Sequence, residues 1–502
     1  MRRGLAMILT IMMMMTLIGT AAGEAQGQKA PDFILEGYDG ESTGRTWDTN
    51  LFFTRMEEKT GISFEFREST EYKQWAERKK ALANQEDLPD VLFKAEMTAG
   101  EVRDLYAAGT LIDLRPYLEE HAPDLWKLMQ ENPEIEQAIA MPDGAIPALP
   151  GINTMQNNAG IWINEKWLNK VKMEMPTTAE ELTEVLRAFR DQDPNGNGKQ
   201  DEVPLAFIGM WELRFLAHAY GIIDNDYYIT ATDGKVTSAL TSEENRKFLT
   251  WLRMLWDEKL IDHNGFTTTD NLRMISDEKA DIPYGVIISS TPLTVVPTAS
   301  AGQYTLIMPL TYNGKQIYRD LTGNVIRGTF AITKRCTAPE KLVAWVNTLY
   351  TEEGALMAEY GLEDVEYAWR EDGLWEWKED LTTVAQVILT ENTVGSGAAM
   401  PGITPVDFQL KYTEELTRKD VGLIAELKKY CVMPYPLVTL TKEDEETLAG
   451  VQKELSQYAE STMARFVVGD IEINDAEWET FCKTVKEKGL ETVIEVFGKY
   501  VK

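Results

Sequence analysis

The chain has 502 residues, of which 44 % are hydrophobic, and its 81 acidic and 50 basic residues give a formal net charge of −31. This length can bury one large core or two moderate ones, and the sequence favours two lobes. The charge opposes nucleic acid and anionic membrane surfaces at long range, so we expect no nucleic-acid partner. A small anionic ligand held in a local basic pocket is compatible with it.

The first residues have the pattern of an export signal. Arg2 and Arg3 precede an apolar run from Leu5 to Ile18, and small residues follow as far as Gly23. The run is too short for a membrane span, and no later stretch of about 18 uninterrupted apolar residues occurs. We therefore expect a signal peptide over residues 1–23, which is cleaved, and a mature protein in the periplasm or outside the cell.

The three cysteines, Cys336, Cys431 and Cys482, are scattered over the last third of the chain without CxxC spacing. At most one disulfide can form among them. A bacterial lipoprotein would need a cysteine just after the apolar run of its signal, and this sequence has none before Cys336. A lipid anchor is therefore not expected.

After the signal, short apolar strands alternate with amphipathic helices, which predicts an α/β architecture with mostly parallel sheets. Repeated β-α-β units of this kind build a doubly wound lobe. The predicted elements of the first part are, in chain order, a strand Phe33–Tyr38, a helix Leu51–Thr60, a strand Ile62–Arg67, a helix Tyr72–Asn84 and a strand Val91–Phe93.

A second lobe is predicted to begin after Pro150-Gly151. A strand over Gly160–Asn164 comes first. A helix over Thr178–Arg190 follows, with Thr177-Thr178 as its N-cap signal and acidic residues in its first turn. The next strand is predicted over Val203–Phe207.

The loop between that helix and that strand, Asp193–Glu202, has the pattern of a calcium site. Oxygen-bearing side chains occupy alternate positions, a glycine stands sixth, and an acidic pair stands ninth and tenth, so these groups can converge on one hard cation. The twelfth position is Pro204 instead of the glutamate of an EF-hand, so Glu202 would have to serve in its place. A turn rich in asparagine and glycine, without metal, is the alternative interpretation.

Short motifs run through nearly the whole mature chain. They are Glu57–Ile62, Asp87–Val91, Gly109–Leu114, Pro142–Pro150, Asn164–Leu168, Pro176–Thr178, Ala338–Glu340, Tyr350–Gly354, Phe466–Gly469 and Glu477-Trp478. Each motif is weak by itself, but their order and spacing together are specific. In these motifs the chain resembles the extracellular solute-binding proteins of ABC importers (family 1), in the large oligosaccharide-type group that includes the alginate-oligosaccharide-binding proteins.

The resemblance implies a two-lobed clamp of the periplasmic-binding-protein type, in which a mostly parallel sheet flanked by helices builds each lobe and the ligand lies between the lobes. Both lobes would be discontinuous in sequence. The N-terminal lobe takes residues 31–151 and 318–365, and the C-terminal lobe takes residues 152–317 and 366–502. The segment Asn324–Thr333, with Gly328 inside it, is then a strand that returns to the first lobe.

The resemblance also implies a structural calcium ion in the loop. Its ligands would be the side chains of Asp193, Asn195, Asn197, Asp201 and Glu202 and the backbone carbonyl of Lys199. The implied partners are an oligosaccharide or another small-molecule ligand and the membrane permease of an ABC importer. The binding protein itself is expected to be a monomer.

Aromatic residues are the main ligand candidates, because the C–H faces of sugar rings stack on indole and the sugar hydroxyls need polar neighbours. The chain has 13 tryptophans. Three of them follow a predicted strand or lie near a predicted crossover, where such folds open onto the cleft. For every candidate, core packing or a structural hydrogen bond is the alternative role. The predicted ligand-binding residues are Trp47, Asp48, Trp211, Tyr284, Arg327 and Trp369.

A secreted polysaccharide hydrolase or lyase is the alternative from another class. Glycosidases need a pair of carboxylates at a defined separation, and 81 acidic residues make no pair persuasive. HExxH, GxSxG, a P-loop and GxGxxG after a strand are all missing, so no catalytic residue is predicted. A binding protein that acts as a sensor or retains polymer at the cell surface would have the same fold. The sequence favours an exported, calcium-containing binding protein that captures a carbohydrate and delivers it to an ABC permease.

Overall fold

The computed structural model describes residues 30–40, 46–85, 87–156, 159–378, 391–395 and 400–501. The predicted signal peptide, residues 1–23, lies outside these ranges. Within them, no helix combines the length and the hydropathy that a membrane span requires.

The first sheet has six strands and contains the three strands predicted in the first part of the chain. Two of its pairs, Phe33–Tyr38 with Phe64–Ser69 and Phe33–Tyr38 with Val91–Phe93, are parallel. Val325–Ile332 returns from the second half of the chain, as predicted, and is antiparallel to both of its neighbours. In order across the sheet, the strands are Gly402–Ile403, Ala148–Ile152, Val325–Ile332, Val91–Phe93, Phe33–Tyr38 and Phe64–Ser69.

The returning strand contains a bulge between Ile326 and Phe330. Gly328 lies in this bulge with φ +67°, and a Cβ atom built on it would lie 2.1 Å from the carbonyl oxygen of Met97. Only glycine fits such a position without strain. The close approach lets the Met97 amide donate to the Gly328 carbonyl at 3.1 Å, which ties the loop after Val91–Phe93 to the strand.

The second sheet has four strands. Gly160–Asn164 is antiparallel to both of its neighbours, whereas Val203–Ala206 and Tyr284–Ser289 are parallel. The pairing is therefore mixed here, because Gly160–Asn164 runs opposite to the two parallel strands. In order across the sheet, the strands are Tyr304–Leu306, Gly160–Asn164, Tyr284–Ser289 and Val203–Ala206.

The remaining strands form three short pairs, and helices cover the sheets. The pairs are Thr230–Thr232 with Lys235–Thr237, Tyr318–Arg319 with Cys431–Val432, and Tyr367–Trp369 with Trp375–Trp377. The α-helices of the described residues are Leu51–Thr60, Tyr72–Leu82, Ala99–Ala107, Arg115–His121, Pro123–Glu131, Pro133–Ile139, Glu165–Lys170, Ala179–Asp191, Gly209–Leu213, Glu243–Asp257, Asp270–Arg273, Thr298–Ala301, Pro339–Asn347, Glu352–Glu359, Val406–Gln409, Glu415–Lys428, Lys442–Val468, Asp475–Glu487 and Leu490–Gly498. The 3₁₀ helices there are Trp47–Thr49, Arg214–Tyr220, Pro292–Thr294 and Thr348–Tyr350.

Local signals explain the ends of the predicted helices. The helix Leu51–Thr60 begins where the Asn50 side chain accepts the Phe52 amide at 2.9 Å, and it ends at Gly61, which is left-handed with φ +72°. The helix Ala179–Asp191 begins where Thr178 accepts the Glu181 amide at 3.1 Å. Both helices are confirmed within one residue of their predicted bounds.

Each sheet has its own hydrophobic core. The first core contains Phe52, Phe93 and Trp345, and the second contains Trp162 and Phe207 together with buried residues of the three C-terminal helices. The lobe boundaries stay a prediction. Strand Gly402–Ile403 pairs with the first sheet, although the predicted range 366–502 assigns it to the second lobe.

Candidate functional site

The first place of interest is the end of the first sheet at which the parallel strands Phe33–Tyr38, Phe64–Ser69 and Val91–Phe93 terminate. Ligands of open α/β sheets bind outside the carboxyl ends of the strands. Asp39, Glu68 and Lys94 lie at these three ends, and Lys94 Nζ is 3.2 Å from Asp39 Oδ1. The sequence analysis missed all three residues, although their positions at strand ends were a usable signal.

Trp47 lies beneath this charged group and not on the surface. Its side chain is 1 % exposed, and the rings of Phe53, Phe66 and Phe93 surround it at centroid distances of 5.7, 6.3 and 5.7 Å. Its Nε1 donates to Asp39 Oδ2 at 2.9 Å. The ring therefore presents no open face to a ligand in this structure. Asp48 is exposed and accepts a hydrogen bond from the Thr46 hydroxyl.

Glu68 is the most perturbed group at this end of the sheet. Its Oε2 accepts the Trp47 amide at 3.0 Å, while its Oε1 is buried and has no hydrogen-bond partner. Burial, reinforced by the nearby Asp39 carboxylate, raises the pKa of Glu68 to about 7. The first-lobe end is thus closely packed and charged, with an aromatic residue below it.

At the second sheet, by contrast, the tryptophan after one of the parallel strands is exposed. The strand Val203–Ala206 leads into the short helix Gly209–Leu213, on which Trp211 is 48 % exposed. The following residue, Glu212, points inward and forms a buried bidentate pair with Arg273 at 2.7 and 3.0 Å. It also accepts the Ile208 amide at 2.6 Å. Burial raises the pKa of Glu212 to about 7, and Arg273 opposes this rise.

The backbone of Trp211 is also held from the connection between the sheets. Arg319, in the strand Tyr318–Arg319, lies 3.4 Å from the Trp211 carbonyl oxygen and 3.3 Å from Asp224 Oδ1. Arg214 donates to the same carboxylate oxygen at 2.9 Å. The two contacts of Arg319 join residues 108 and 95 positions apart and were not predicted. The contacts fix the main chain of Trp211 and leave its indole exposed.

Trp369 is the second exposed candidate. It is 40 % exposed at the end of the hairpin strand Tyr367–Trp369, its ring contacts Phe408 edge-on at 5.6 Å, and Lys411 Nζ lies 5.6 Å from its ring centroid. The residue before the hairpin, Glu366, forms an ion pair with Arg55 at 2.6 Å. This pair connects the hairpin to the first-lobe helix Leu51–Thr60.

The last two ligand candidates have different surroundings. The Tyr284 hydroxyl donates to the Arg273 carbonyl at 3.1 Å, and its own carbonyl accepts the Tyr304 hydroxyl at 2.6 Å, so the described contacts of this residue lie inside the second lobe. Arg327 lines a cavity of about 380 Å³ between the lobes and donates to the Val438 carbonyl at 3.1 Å.

The predicted calcium loop is closed by its own side chains. The Asp193 carboxylate accepts the amides of Gly196 and Gly198 at 2.9 and 3.2 Å. The side-chain amides of Asn195 and Asn197 donate to the Asp201 carboxylate at 3.0 and 3.1 Å. These hydrogen bonds lower the pKa of Asp201.

Glu202 behaves differently from the other acidic residues of the loop. Both of its carboxylate oxygens are buried without a hydrogen-bond partner, and burial together with Asp193 and Asp201 raises its pKa. Two buried carboxylate oxygens without a partner are groups that a hard divalent cation would satisfy. Elsewhere in the described ranges, as here, no group of three or more His, Cys, Asp and Glu side chains is arranged to hold a metal. The predicted ligand set depends instead on amide and carbonyl oxygens as well as carboxylates.

Known proteins similar to this chain were found by sequence and by structure, while no family model matches it. The fructooligosaccharide ABC transporter substrate-binding protein FusA of Streptococcus pneumoniae is 25 % identical, over 96 % of this chain and 94 % of FusA. The polygalacturonan/rhamnogalacturonan-binding protein YtcQ of Bacillus subtilis is 21 % identical, over 83 % of this chain and 81 % of YtcQ.

Solved structures share the fold. An extracellular solute-binding protein from Bifidobacterium longum subsp. infantis aligns with a TM-score of 0.77 at 20 % identity, over 94 % of this chain and 97 % of its own. FusA in complex with kestose aligns with a TM-score of 0.68 at 24 % identity, over 93 % and 98 %. Alginate-binding protein AlgQ2 without calcium ion aligns with a TM-score of 0.63 at 19 % identity, over 93 % and 97 %.

FusA is named as a substrate-binding protein of an ABC transporter, and YtcQ, AlgQ2 and the Bifidobacterium protein are named as binding proteins. The fold class predicted from the sequence, a two-lobed α/β protein with helices on its sheets, is confirmed. The resemblance of this chain to the extracellular solute-binding proteins of ABC importers is likewise confirmed.

Proposed function

We propose that this protein is exported, captures an oligosaccharide between its two lobes and delivers it to the permease of an ABC importer. Relatives named for fructooligosaccharide and for pectic polysaccharides support carbohydrate as the ligand class. The protein performs no chemistry in this function. A role in sensing would use the same capture step, and no feature of the described residues favours a polysaccharide hydrolase or lyase over capture.

The observation that carries the proposal is the exposed indole of Trp211 on a rigid support. An aromatic side chain of this size is normally buried, and here a buried ion pair and a buried arginine hold its main chain so that the ring faces outward. Such a preorganised indole loses little freedom when the C–H face of a sugar ring stacks on it. Trp211 is therefore the stacking residue proposed for the second lobe.

Capture would require both lobes. Trp369 is exposed on a hairpin that the Arg55–Glu366 pair connects to the first lobe, so it is the proposed stacking residue on the opposite side. A ligand that contacts both indoles only when the lobes approach each other binds the closed state more tightly. Its binding then shifts the population toward closure by this difference in affinity.

The loop Asp193–Glu202 would hold a structural calcium ion. The proposed ligands are the side chains of Asp193, Asn195, Asn197, Asp201 and Glu202 and the carbonyl of Lys199. The ion would neutralise three carboxylates, including the unpartnered one of Glu202. A FusA EF-hand mutant and an AlgQ2 without calcium ion are among the structural neighbours, and they support calcium as a cofactor. The loop would then fix the end of the helix Ala179–Asp191 to the start of the strand Val203–Ala206.

Export is the remaining part of the proposal. The pattern of residues 1–23 supports a cleaved signal peptide. The proposed location is the periplasm or the cell exterior. We propose that the mature protein is a monomer.

Thermal unfolding of the mature chain, residues 24–502, against a panel of oligosaccharides and peptides tests the ligand class. A ligand that binds only the folded state must raise the unfolding midpoint. We expect at least one oligosaccharide to raise it and the peptides to leave it unchanged. A midpoint that responds to a peptide and to no saccharide would overturn the proposed ligand class.

A further inference from the structure

The cavity between the lobes has walls from three parts of the chain. The first lobe contributes the start of the helix Ala99–Ala107 and Arg327, the second lobe contributes Asn225–Tyr227, and the segment Met433–Leu440 closes it. At about 380 Å³ it lies within the range of small-ligand sites. Its position between the lobes makes it part of the space in which a captured ligand would be held.

Two arginines line this cavity, and their surroundings differ. Arg103 Nη2 lies 2.8 Å from Asp104 Oδ1 and 2.6 Å from Glu445 Oε2, so its charge is compensated. Arg327 is half-buried and, within the part of the chain that the structure describes, makes one hydrogen bond, to the Val438 carbonyl at 3.1 Å. No carboxylate of the described residues lies within 4.0 Å of it.

The other arginines taken out of water near the candidate site do have acidic partners. Arg273 pairs with Glu212, and Arg214 and Arg319 both pair with Asp224. Buried charges usually have such partners, because taking a charge out of water without one costs free energy. Burial lowers the pKa of Arg327, and among the described residues the Tyr227 hydroxyl alone opposes this shift. Arg327 therefore lacks the compensation that its neighbours have.

The acidic residues of the cavity do not supply that compensation. Asp320 is paired with Lys428 at 2.6 Å, and Glu445 is paired with Arg103. Asp226 is exposed and has no ion-pair partner among the described residues. The cavity wall also contains apolar groups, namely the rings of Tyr227 and Phe497, 4.7 Å apart, and the segment Pro436–Val438. The cavity thus combines an apolar face with the half-buried guanidinium of Arg327 and, in a more exposed position, the carboxylate of Asp226, neither of which has an ion-pair partner among the described residues.

We propose that this cavity receives a carboxylate-bearing unit of the oligosaccharide, a uronic acid residue, with the Arg327 guanidinium as its charge partner. The planar fork of a guanidinium matches a carboxylate with two parallel N–H···O hydrogen bonds. The apolar wall suits the C–H face of the same sugar ring. This inference rests on the proposed capture of an oligosaccharide and adds the chemical class of one sugar unit.

Matched pairs of oligosaccharides test the inference by calorimetric titration of the mature protein. Each pair has the same linkage and stereochemistry and differs only in a carboxylate or a hydroxymethyl group at C6, as in galacturonate and galactose trimers. Glucuronate and mannuronate pairs and one sulfated oligosaccharide complete the panel. In at least one pair we expect the acidic member to bind about tenfold more tightly or better, with an affinity that falls as salt is added.

The variant Arg327→Gln should remove the preference for the acidic member, while Arg327→Lys, which keeps the charge but not the fork, should retain part of it. Arg187→Gln is the matched control, because Arg187 pairs with Glu184 and Glu258 on an outer helix of the second lobe. It should leave the preference unchanged. If Arg327→Gln fails to fold, the pairwise preference and its salt dependence in the unchanged protein still decide the question.

The outcomes separate this inference from the proposed function. If neutral members bind as tightly as acidic ones in every pair, the uronic acid inference is overturned and carbohydrate capture stands. If only the sulfated oligosaccharide binds better than the neutral ones, the carboxylate assignment is wrong. If no oligosaccharide of this panel binds, the uronic acid inference is overturned, and the thermal-unfolding panel decides separately whether the protein captures another oligosaccharide.

Discussion

Trp47 and Trp211 lie in similar places in the sequence, each shortly after a strand of a different lobe. In the structure, one of them is buried and the other is exposed. Trp47 is 1 % exposed and Trp211 is 48 % exposed. Trp47 is followed by a helix whose residues Phe52 and Phe53 join the first core, so the indole is drawn into an aromatic cluster. At Trp211 the inward position belongs to Glu212, which is paired with Arg273, so the indole stays outside.

The contrast shows that an aromatic residue after a strand predicts neither burial nor ligand contact by itself. The neighbouring residue that takes the inward position decides whether the indole is buried or exposed. In the first lobe the aromatic residue supports folding and polar groups occupy the strand ends. In the second lobe a polar pair supports folding, and the aromatic residue is available to a ligand.

Trp47→Ala should have the largest effect and should act on stability. Removing a buried indole leaves a cavity among three phenylalanine rings and should lower the free energy of unfolding by about 3–5 kcal/mol. Trp211→Ala should change it by less than about 0.5 kcal/mol. Urea unfolding of both variants measures the difference, and equal losses of stability would remove the distinction between the two sites.

Acid should destabilise the second lobe near Trp211 through His218. This residue lies in the 3₁₀ helix that follows the helix of Trp211. His218 is buried between the Phe215 carbonyl, 2.7 Å from Nδ1, and the Leu310 amide, which donates to Nε2 at 2.9 Å. Burial lowers its pKa from 6.5 to about 4. Between these values the unfolded chain binds a proton that the folded chain does not, so the stability present above pH 6.5 is lost as the pH falls to 4.

The loss should be roughly 3 kcal/mol across that interval. The raised pKa values of Glu68 and Glu212 act in the opposite direction between their ordinary value and about 7, so the wild-type profile alone does not isolate the histidine. The measurement is the difference in unfolding free energy between wild type and His218→Gln at pH 7 and pH 4. A difference that does not shrink on acidification would contradict the assignment.

Calcium should stabilise the second lobe through the loop Asp193–Glu202. At a free concentration about a hundred times its dissociation constant, an ion bound only to the folded state adds about 2.7 kcal/mol. Asp201→Asn should abolish this gain. Asp191→Asn is the matched control, because Asp191 lies two residues before the loop and pairs with Arg190. Thermal unfolding with and without chelator compares them, and a chelator without effect on wild type would count against the site.

Trp211→Ala should act on ligand affinity. Its effect on the free energy of binding should be the smallest of the predicted effects. Loss of one stacked indole should raise the dissociation constant of a bound oligosaccharide about 30-fold, or ~2 kcal/mol. Trp126→Ala is the control, since Trp126 is half-buried on the first-lobe helix Pro123–Glu131 and should leave the affinity unchanged. Unchanged affinity in Trp211→Ala would remove this residue from the binding surface.

Local sequence features predicted much of the fold. The bounds of the helix Leu51–Thr60 follow from Asn50 and Gly61, whereas the bulge at Gly328 in the returning strand was not predicted. Features of this kind depend on a few neighbouring residues, so one sequence suffices to recognise them. The resemblance supplied the pairing of distant segments, which periodicity does not contain.

The candidate site was harder to predict because its residues are brought together by the fold. Arg319 and Trp211 are 108 positions apart, and Glu212 and Arg273 are 61 apart. Nothing near Trp47 in sequence shows that Phe66 and Phe93 will cover it. Arg327 was named from the sequence, but its missing carboxylate partner is visible only when the surrounding side chains are placed.

The most direct test of capture by lobe closure is small-angle X-ray scattering of the mature protein with and without a saturating oligosaccharide that raises its unfolding midpoint. Closure on the ligand predicts a smaller radius of gyration in the complex, and Trp211→Ala should need a higher ligand concentration to reach it. A bound oligosaccharide that leaves the radius of gyration unchanged would contradict the account.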